Sequence, residues 1–202
     1  METPDSYLTI KGNAETEIKI KASKFIGRVF SCESENEAIT VLENIRKKYY
    51  DATHHCFAYR VGLGKDIIFR YSDDGEPNGT AGKPIYDRLE GPDLTNLILI
   101  VTRYYGGTKL GTGGLTHAYS DTAKAVLDKA GSLEKYITDN ISMVLQFSDY
   151  SNVERTIHQI GAKIIESDFS DIVKLTVKTR LSLIEKLKSN LIDLTSGRIK
   201  ID

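Results

Sequence analysis

Cysteine and long apolar runs are scarce in this chain of 202 residues, and both shortages exclude classes of protein. Cys32 and Cys56 are the two cysteines, which is too few for a disulfide framework and is typical of a reducing compartment. The aliphatic run at residues 97–101 is far shorter than the roughly 20 apolar residues of a membrane helix. The acidic start of the chain lacks the apolar stretch of a secretory signal. The sequence therefore predicts a cytoplasmic protein without a membrane span.

An excess of charge of either sign is missing as well. The net charge is −1, with 18 Lys and Arg against 19 Asp and Glu in residues 1–135 and nine of each in residues 136–202. General attraction to nucleic acid requires a strongly basic domain, so here only a local basic patch could bind it. The sequence gives no sign of DNA sequence readout.

The pattern of apolar residues indicates two domains, 1–135 and 136–202, because it breaks near residues 133–139. The composition, 40% hydrophobic and 27% charged, is that of a globular protein. Ser34 and Glu37 have the spacing of a capping box and predict that a helix begins at residue 35. The other elements predicted in the first domain are strands at 17–21, 25–30, 55–62, 66–71 and 97–105, a short helix at 84–90, and a helix after residue 114 that ends at Gly131. The apolar side predicted for this last helix consists of Leu115, Ala118, Tyr119, Thr122, Val126 and Ala130, and the opposite side of His117, Asp121, Lys124 and Asp128.

The second domain has the order of elements of a ferredoxin-like fold. Its predicted elements are a strand at 140–147, a helix at 149–160, strands at 162–168 and 171–179, a helix at 181–192 and a strand at 197–201. This β-α-β-β-α-β order is the split βαβ arrangement. The fold class predicted for the whole chain is α+β.

The first of three unusual stretches, Thr53-His54-His55-Cys56, combines two imidazoles and a thiol and so suggests zinc. Neighbouring residues of a strand point to opposite faces of the sheet, which makes a shared ion difficult. No second ligand pair with metal-binding spacing occurs elsewhere. We therefore predict no metal, a core position for Cys56, and one histidine facing a cleft.

The second stretch, residues 72–84, is a long loop that concentrates three carboxylates, those of Asp73, Asp74 and Glu76. Such a cluster requires hydrogen bonds or cations nearby. Mg²⁺, the arginines of a partner, or the cap of the following helix could satisfy it. A plain solvated loop is the alternative, although the length of the loop favours a function.

The third stretch, residues 103–114, is rich in glycine and lies between a buried strand and a helix. Backbone amides without side chains can hold a phosphate at the start of a helix, and Arg103 and Lys109 would add charge. The spacing is neither that of a Walker loop nor that of a dinucleotide-binding loop. A tight connection forced by packing is the alternative. The candidate ligand-binding residues of the three stretches are His54, His55, Asp73, Asp74, Glu76, Thr80, Arg103, Tyr104, Gly106, Gly107, Lys109, Gly113 and Gly114.

Taken together, these stretches resemble the signature of the IMPACT/YigZ family. The resemblance covers about residues 15–130. It rests on three motifs, His54-His55-Cys56-x-Ala58-Tyr59, Asp73-Asp74-Gly75-Glu76-Pro77-x-Gly79-Thr80-Ala81-Gly82-x-Pro84 and Arg103-Tyr104-x-Gly106-Gly107-x-x-Leu110-Gly111-x-Gly113-Gly114-Leu115.

The resemblance implies a first domain with the βαβ fold of ribosomal-protein and ribonuclease-PH type. It implies that residues 140–202 are similar to domain V of elongation factor G. It also implies a link to translation, with RNA, the ribosome or a translation factor as partner, and no established reaction or cofactor. Two positions depart from the family pattern, since Tyr105 replaces the usual phenylalanine and His117 replaces a common arginine. The second departure removes a permanent charge near the proposed anion site.

Two functions remain open from the sequence. A binding module of the translation apparatus requires a broad surface with Lys and Arg around the glycine-rich stretch. A small-molecule enzyme would use the acidic loop with His54 or His55, and it requires that the three stretches meet in one pocket with a perturbed titratable group. Both functions predict that the three stretches meet in space, because each lies at the end of a strand.

Overall fold

The structure is a computed structural model that describes residues 5–202. Its contacts divide these residues into two units. The first unit is Tyr7–Lys135, and the second is Tyr136–Asp202 together with Asp5 and Ser6. Among the residues described, no helix is long and apolar enough to cross a membrane.

The first unit is built on a five-stranded sheet. Its elements are β1 (Ser6–Ile10), β2 (Ala14–Ile20), β3 (Ser23–Ser31), α1 (Glu35–Lys48), β4 (His54–Val61), β5 (Ile68–Ser72), α2 (Gly82–Glu90), β6 (Leu97–Tyr104), α3 (Gly111–Ala130) and β7 (Ser132–Tyr136). The strand order is β2-β3-β6-β4-β5, and every neighbouring pair is antiparallel. β3 and β4 are therefore parallel, with α1 connecting them and β6 between them, which is a split βαβ unit.

Helices cover both faces of this sheet, which explains why β6 is apolar along nearly its whole length. On one face, Ala38, Leu42 and Ile45 of α1 pack on residues of β4 and β6 such as Phe57 and Ile100. On the other face, α2 and α3 bury a larger core that includes Ile85, Leu89, Ala118, Tyr119 and Val126. The residues of α3 predicted for its apolar side are buried, and His117, Asp121, Lys124 and Asp128 are exposed.

Two features of the first unit differ from the sequence prediction. Helix α3 begins at Gly111 and not after residue 114, so part of the predicted glycine-rich loop is the first turn of the helix. β1 and β7 form a separate two-stranded sheet that the sequence did not predict. Both strands are short, and the residues of β7 are exposed, so neither has the alternation that marks a half-buried strand.

The second unit has the predicted ferredoxin-like order. Its elements are β8 (Thr138–Leu145), α4 (Tyr150–Gln159), β9 (Lys163–Phe169), β10 (Val173–Arg180), α5 (Ile184–Leu194) and β11 (Lys200–Ile201). The strand order is β11-β8-β10-β9, with antiparallel pairs throughout. Val153 and Ile157 of α4 and Leu187 and Leu191 of α5 share one core with the apolar residues of the sheet. With the helix-covered sheet of the first unit, this arrangement is the predicted α+β class.

Candidate functional site

The three unusual stretches meet at one end of the five-stranded sheet, where β4 begins and β6 ends. His54 and Arg103 are paired neighbours in these two strands. Beside them lies an open cleft of about 500 Å³. Its ionisable lining residues are His54, Glu76, Arg103 and Lys109, its apolar wall is formed by Pro77, Tyr105, Leu110 and Leu115, and Thr53, Gly111 and Thr112 complete the lining.

His54 is the histidine that faces the cleft. Its Nδ1 lies 2.8 Å from the backbone oxygen of Asp74, and because a carbonyl oxygen only accepts, Nδ1 carries the proton of this hydrogen bond. Nε2 lies 3.8 Å from Oε1 of Glu76. In the neutral ring Nε2 is therefore an acceptor, and in the charged ring it is a second donor.

His55 lies on the opposite face of the sheet, so its assignment to the same site was wrong. Its ring is buried between Thr102 Oγ1, 3.1 Å from Nδ1, and the backbone oxygen of Tyr49, 3.1 Å from Nε2. Burial lowers the pKa of His55. Strand geometry causes this separation, because consecutive side chains alternate between faces. Tyr104 is separated from Arg103 for the same reason, and its hydroxyl donates to Asp51, 3.0 Å away.

The loop carboxylates are satisfied by groups of the protein itself. Asp73 accepts hydrogen bonds from the backbone N–H groups of Gly79, Ala81 and Gly82 at 2.8–2.9 Å. It therefore holds the loop in shape and caps the start of α2, which is one of the predicted alternatives. Thr80 also serves the loop, since its hydroxyl donates to the backbone oxygen of Pro77, 2.7 Å away.

Asp74 connects the loop to both histidines. Its side chain pairs with Arg46 and accepts from the backbone N–H of His55 at 2.7 Å. Its backbone oxygen accepts from His54. Asp73 and Asp74 therefore do not line the cleft as free carboxylates, and a direct ligand role for them stays a prediction.

Glu76 and Arg103 form a buried ion pair at the base of the cleft. Oε1 of Glu76 accepts from Nη1 of Arg103 at 2.5 Å and from the hydroxyl of Tyr119 at 2.7 Å. The two charged side chains are 3% and 5% exposed, so each depends on the other for compensation. This pair is the compensation that the acidic loop requires near a phosphate site.

Arg103 retains one unused donor. Its Nη2 lies 3.3 Å from Oγ of Ser23, but its Nε is buried and has no hydrogen-bond partner among the residues of the structure, 5–202. A buried guanidinium N–H without a partner costs free energy in the unliganded protein. Arg103 lines the cleft, but its buried Nε is not exposed to a ligand there.

The Cys56 thiol and the Tyr119 hydroxyl, which lie beneath the cleft, are held in their protonated forms. Burial raises the pKa of the Cys56 thiol. Burial, with Cys56 and Glu76 nearby, raises the pKa of the Tyr119 hydroxyl. Neither group is therefore activated as a nucleophile, because the thiolate and the phenolate are the reactive forms.

The glycine-rich stretch divides into a packed part and an open part. Gly106 lies against the backbone of Ala22, because a Cβ there would be 1.8 Å from the oxygen of that residue. At Gly107, Gly111 and Gly113 an added Cβ would meet nothing within 4 Å. The first amides of α3 thus lie in an open part of the chain, whereas Gly106 serves packing and Gly114 contacts Leu110.

Lys109 lies in the open part, between Gly107 and Gly111, and is exposed. It lines the cleft, and its side chain has no hydrogen-bond or ion-pair partner within residues 5–202.

Sequence reasoning missed three residues of the site. Tyr119 was placed on the buried side of α3, and a buried tyrosine hydroxyl needs a partner, so a signal for it existed. Tyr105 was treated only as a departure from a family pattern, although its ring is exposed at the cleft. Ser23 reaches the site from the first position of β3 and carries no local signal. Within the described part of the chain, no three His, Cys, Asp or Glu side chains are arranged to hold a metal ion.

Comparison with known proteins finds similarity along the whole chain. Residues 21–127 match the family model of the Impact N-terminal domain, and residues 143–198 match a domain of unknown function, DUF1949. The chain is 32% identical over 196 residues to the IMPACT family member YvyE of Bacillus subtilis, covering 97% of this chain and 90% of that protein. It is 32% identical over 184 residues to the IMPACT family member YigZ of Escherichia coli, covering 91% and 90%. A crystal structure of a hypothetical protein, 30% identical, superposes with a TM-score of 0.69 over 98% of this chain and 97% of that one.

Proposed function

The chain belongs to the IMPACT family, and from this premise we propose that it acts in translation as a binding protein whose cleft contacts RNA. The family resemblance supplies the link to translation. The choice of RNA depends on the charges at the cleft.

Lys109 is the observation that carries this choice. The carboxylates of Asp73 and Asp74 are turned to protein groups, and that of Glu76 is compensated by Arg103. The charge left uncompensated at the cleft is that of Lys109. A site with an unpaired cation and compensated carboxylates attracts a phosphate and not an arginine-bearing protein surface.

The backbone beside Lys109 adds to this attraction. The first N–H groups of a helix have no partner within the helix and carry a partial positive charge. At α3 these groups belong to residues 111–114, three of which are glycine, so a phosphate oxygen could approach the backbone closely. Arg103 also lines this cleft.

An enzyme acting on a small molecule is the second candidate function. The concave shape of the cleft and the open Nε2 of His54 favour it, because His54 could accept or donate a proton there. The protonated states of Cys56 and Tyr119 speak against nucleophilic catalysis by either. Incubation of the protein with nucleotides and chromatography of the products tests this function, since turnover that is lost in His54→Ala would favour it over binding alone.

Crosslinking in living cells tests the RNA proposal. We expect the wild-type protein to recover RNA of the translation apparatus after ultraviolet irradiation, and Lys109→Ala to recover several-fold less. Lys65→Ala is the matched control, because Lys65 is exposed in the Gly64–Asp66 turn at the other end of β4. Recovery of a translation factor without RNA, or equal recovery of RNA by both variants, would contradict the proposal.

A further inference from the structure

The shape of the cleft limits what part of an RNA it can hold. Its volume of about 500 Å³ falls within the range of small-molecule pockets, roughly 300–1,000 Å³. A duplex is too wide for such a space. Apolar side chains form one wall and a few polar groups converge on the other side, as in sites for small ligands that have an apolar part and a charged part.

Tyr105 provides the apolar wall with an aromatic face. Its side chain is 44% exposed although it lines the cleft. Its backbone N–H donates to Oγ1 of Thr53 at 3.0 Å, which fixes the residue at the end of β6. The guanidinium carbon of Arg103 lies 5.2 Å from the centre of the ring. Aromatic rings and arginine planes are the surfaces on which proteins stack nucleobases.

The cationic part of the cleft lies on the same short segment as this ring. Residues 105–110 connect β6 to α3, so Tyr105 stands at one end of the segment and Lys109 and the α3 amides stand at the other. Arg103 also lines the cleft, and its guanidinium, held in place by Glu76, lies between this ring and the base of the site. We propose that the cleft binds one nucleotide unit, with its base on Tyr105 and its phosphate at Lys109 and the start of α3. This inference rests on the proposed function, since it names the part of an RNA that enters the cleft.

His54 has a place in this arrangement. Its Nδ1–H is held by the backbone oxygen of Asp74, so the neutral ring presents Nε2 as an acceptor. A ribose hydroxyl between the base and the phosphate can donate to it. Asp74 is therefore a positioning residue for His54, and its backbone oxygen would persist in Asp74→Ala.

The experiment measures binding of AMP, UMP, adenosine and inorganic phosphate to the full chain by calorimetry. We expect both nucleotides to bind more tightly than adenosine or phosphate. Tyr105→Ala should weaken AMP binding about 5- to 100-fold, the range expected for loss of one stacked base, and leave phosphate binding unchanged. Tyr105→Phe should retain AMP binding, because the ring is kept. Lys109→Ala should weaken both AMP and phosphate.

Tyr50→Ala is the matched control. Tyr50 is 85% exposed and lies outside the cleft lining, so its removal should leave AMP binding unchanged. Thermal unfolding of each variant establishes that it is folded. If AMP binds no more tightly than phosphate, or if Tyr105→Ala binds AMP like wild type, the nucleotide inference is wrong.

A competition arm separates this inference from the proposed function. AMP should displace a labelled single-stranded RNA from the wild-type protein. If RNA binds in a manner dependent on Lys109 while AMP neither binds nor competes, RNA contact stands and the nucleotide pocket is wrong. If AMP binds through Tyr105 and no RNA binds, the pocket stands and RNA is the wrong partner.

Discussion

Glu76 demonstrates how a carboxylate at the candidate site is held by other groups of the protein. Its carboxylate is removed from water and matched with Arg103 and Tyr119. The sequence shows three carboxylates close together in the loop and predicts that they need hydrogen-bond donors or cations nearby. The contacts of Glu76 with Arg103 and Tyr119 confirm this prediction. The sequence did not distinguish Glu76, which lies at the base of the cleft, from Asp73, which shapes the loop, because that depends on which way a loop turns.

Glu76→Gln tests the ion pair. The substitution keeps the size of the side chain but leaves the charge of buried Arg103 without compensation, so we expect a loss of about 3–5 kcal/mol in the free energy of unfolding. Urea unfolding measures it. The control is Glu17→Gln, whose carboxylate is 45% exposed beside Lys19, where a change within about 0.5 kcal/mol is expected. Similar small losses in both variants would contradict the burial of a charged pair.

His55 predicts a dependence of stability on pH. Burial lowers its pKa, whereas an unfolded histidine titrates at about 6.5. Below that pH the unfolded chain binds a proton that the native state does not, so stability is fully present above about pH 6.5 and falls on acidification, by at most about 1.4 kcal/mol per pH unit. Denaturant unfolding between pH 5 and 8 should give a flatter dependence for His55→Gln than for wild type. Parallel curves would mean that the pKa of His55 is not lowered in the folded protein.

At the scale of elements, α3 has some features that the local sequence pattern predicts and others that depend on packing. The buried side of this helix and its end at Gly131 followed from the sequence, because apolar spacing and a C-terminal glycine are local signals. Its start at Gly111 did not, since three of the first four residues of α3 are glycine, which disfavours a helix by propensity. The start of α1 at residue 35 was predicted, because the capping box is a local signal and Oγ of Ser34 accepts from the N–H of Glu37. The pairing of β1 with β7 was not predicted, because the two strands are more than 100 residues apart and carry no local signal.

Two glycines of the same stretch should respond in opposite ways to alanine. Gly106→Ala places a Cβ 1.8 Å from the backbone oxygen of Ala22, so we expect a loss of roughly 1–3 kcal/mol or more as strand ends shift apart. Gly113→Ala meets nothing within 4 Å and lies in the first turn of α3, so a gain of about 0.5–1 kcal/mol is expected. Thermal unfolding compares them. A stable Gly106→Ala protein would contradict the close approach of these two backbone segments.

At the scale of the molecule, the sequence predicted two domains because residues 136–202 have the element order of a complete β-α-β-β-α-β unit. Contacts divide the chain at Tyr136, next to the predicted boundary. The second unit also includes Asp5, whose carboxylate accepts from the N–H and the hydroxyl of Ser182 at 2.9 and 2.6 Å. No sequence pattern could pair residues 177 positions apart through exposed polar groups. Independent folding of the two parts stays a prediction.

Expression of residues 136–202 alone tests that prediction. The fragment keeps the core shared by α4, α5 and the four-stranded sheet and loses the contacts of Asp5 with Ser182 and Ile137. We expect a single cooperative thermal transition. In the full chain, Asp5→Ala should leave the free energy of unfolding nearly unchanged, because this carboxylate is exposed. A fragment that unfolds without a cooperative transition would count against the boundary.

The most direct test of RNA contact at the cleft is the salt dependence of affinity for a short single-stranded RNA. Each phosphate contact releases counterions, so removal of one lysine contact should lower affinity and flatten the slope of log affinity against log salt by about 0.7–1 unit. We expect this change for Lys109→Ala and no change for Lys65→Ala, whose exposed side chain lies at the other end of β4. Identical slopes for wild type and Lys109→Ala, or no binding by wild type even at low salt, would contradict RNA contact at this cleft.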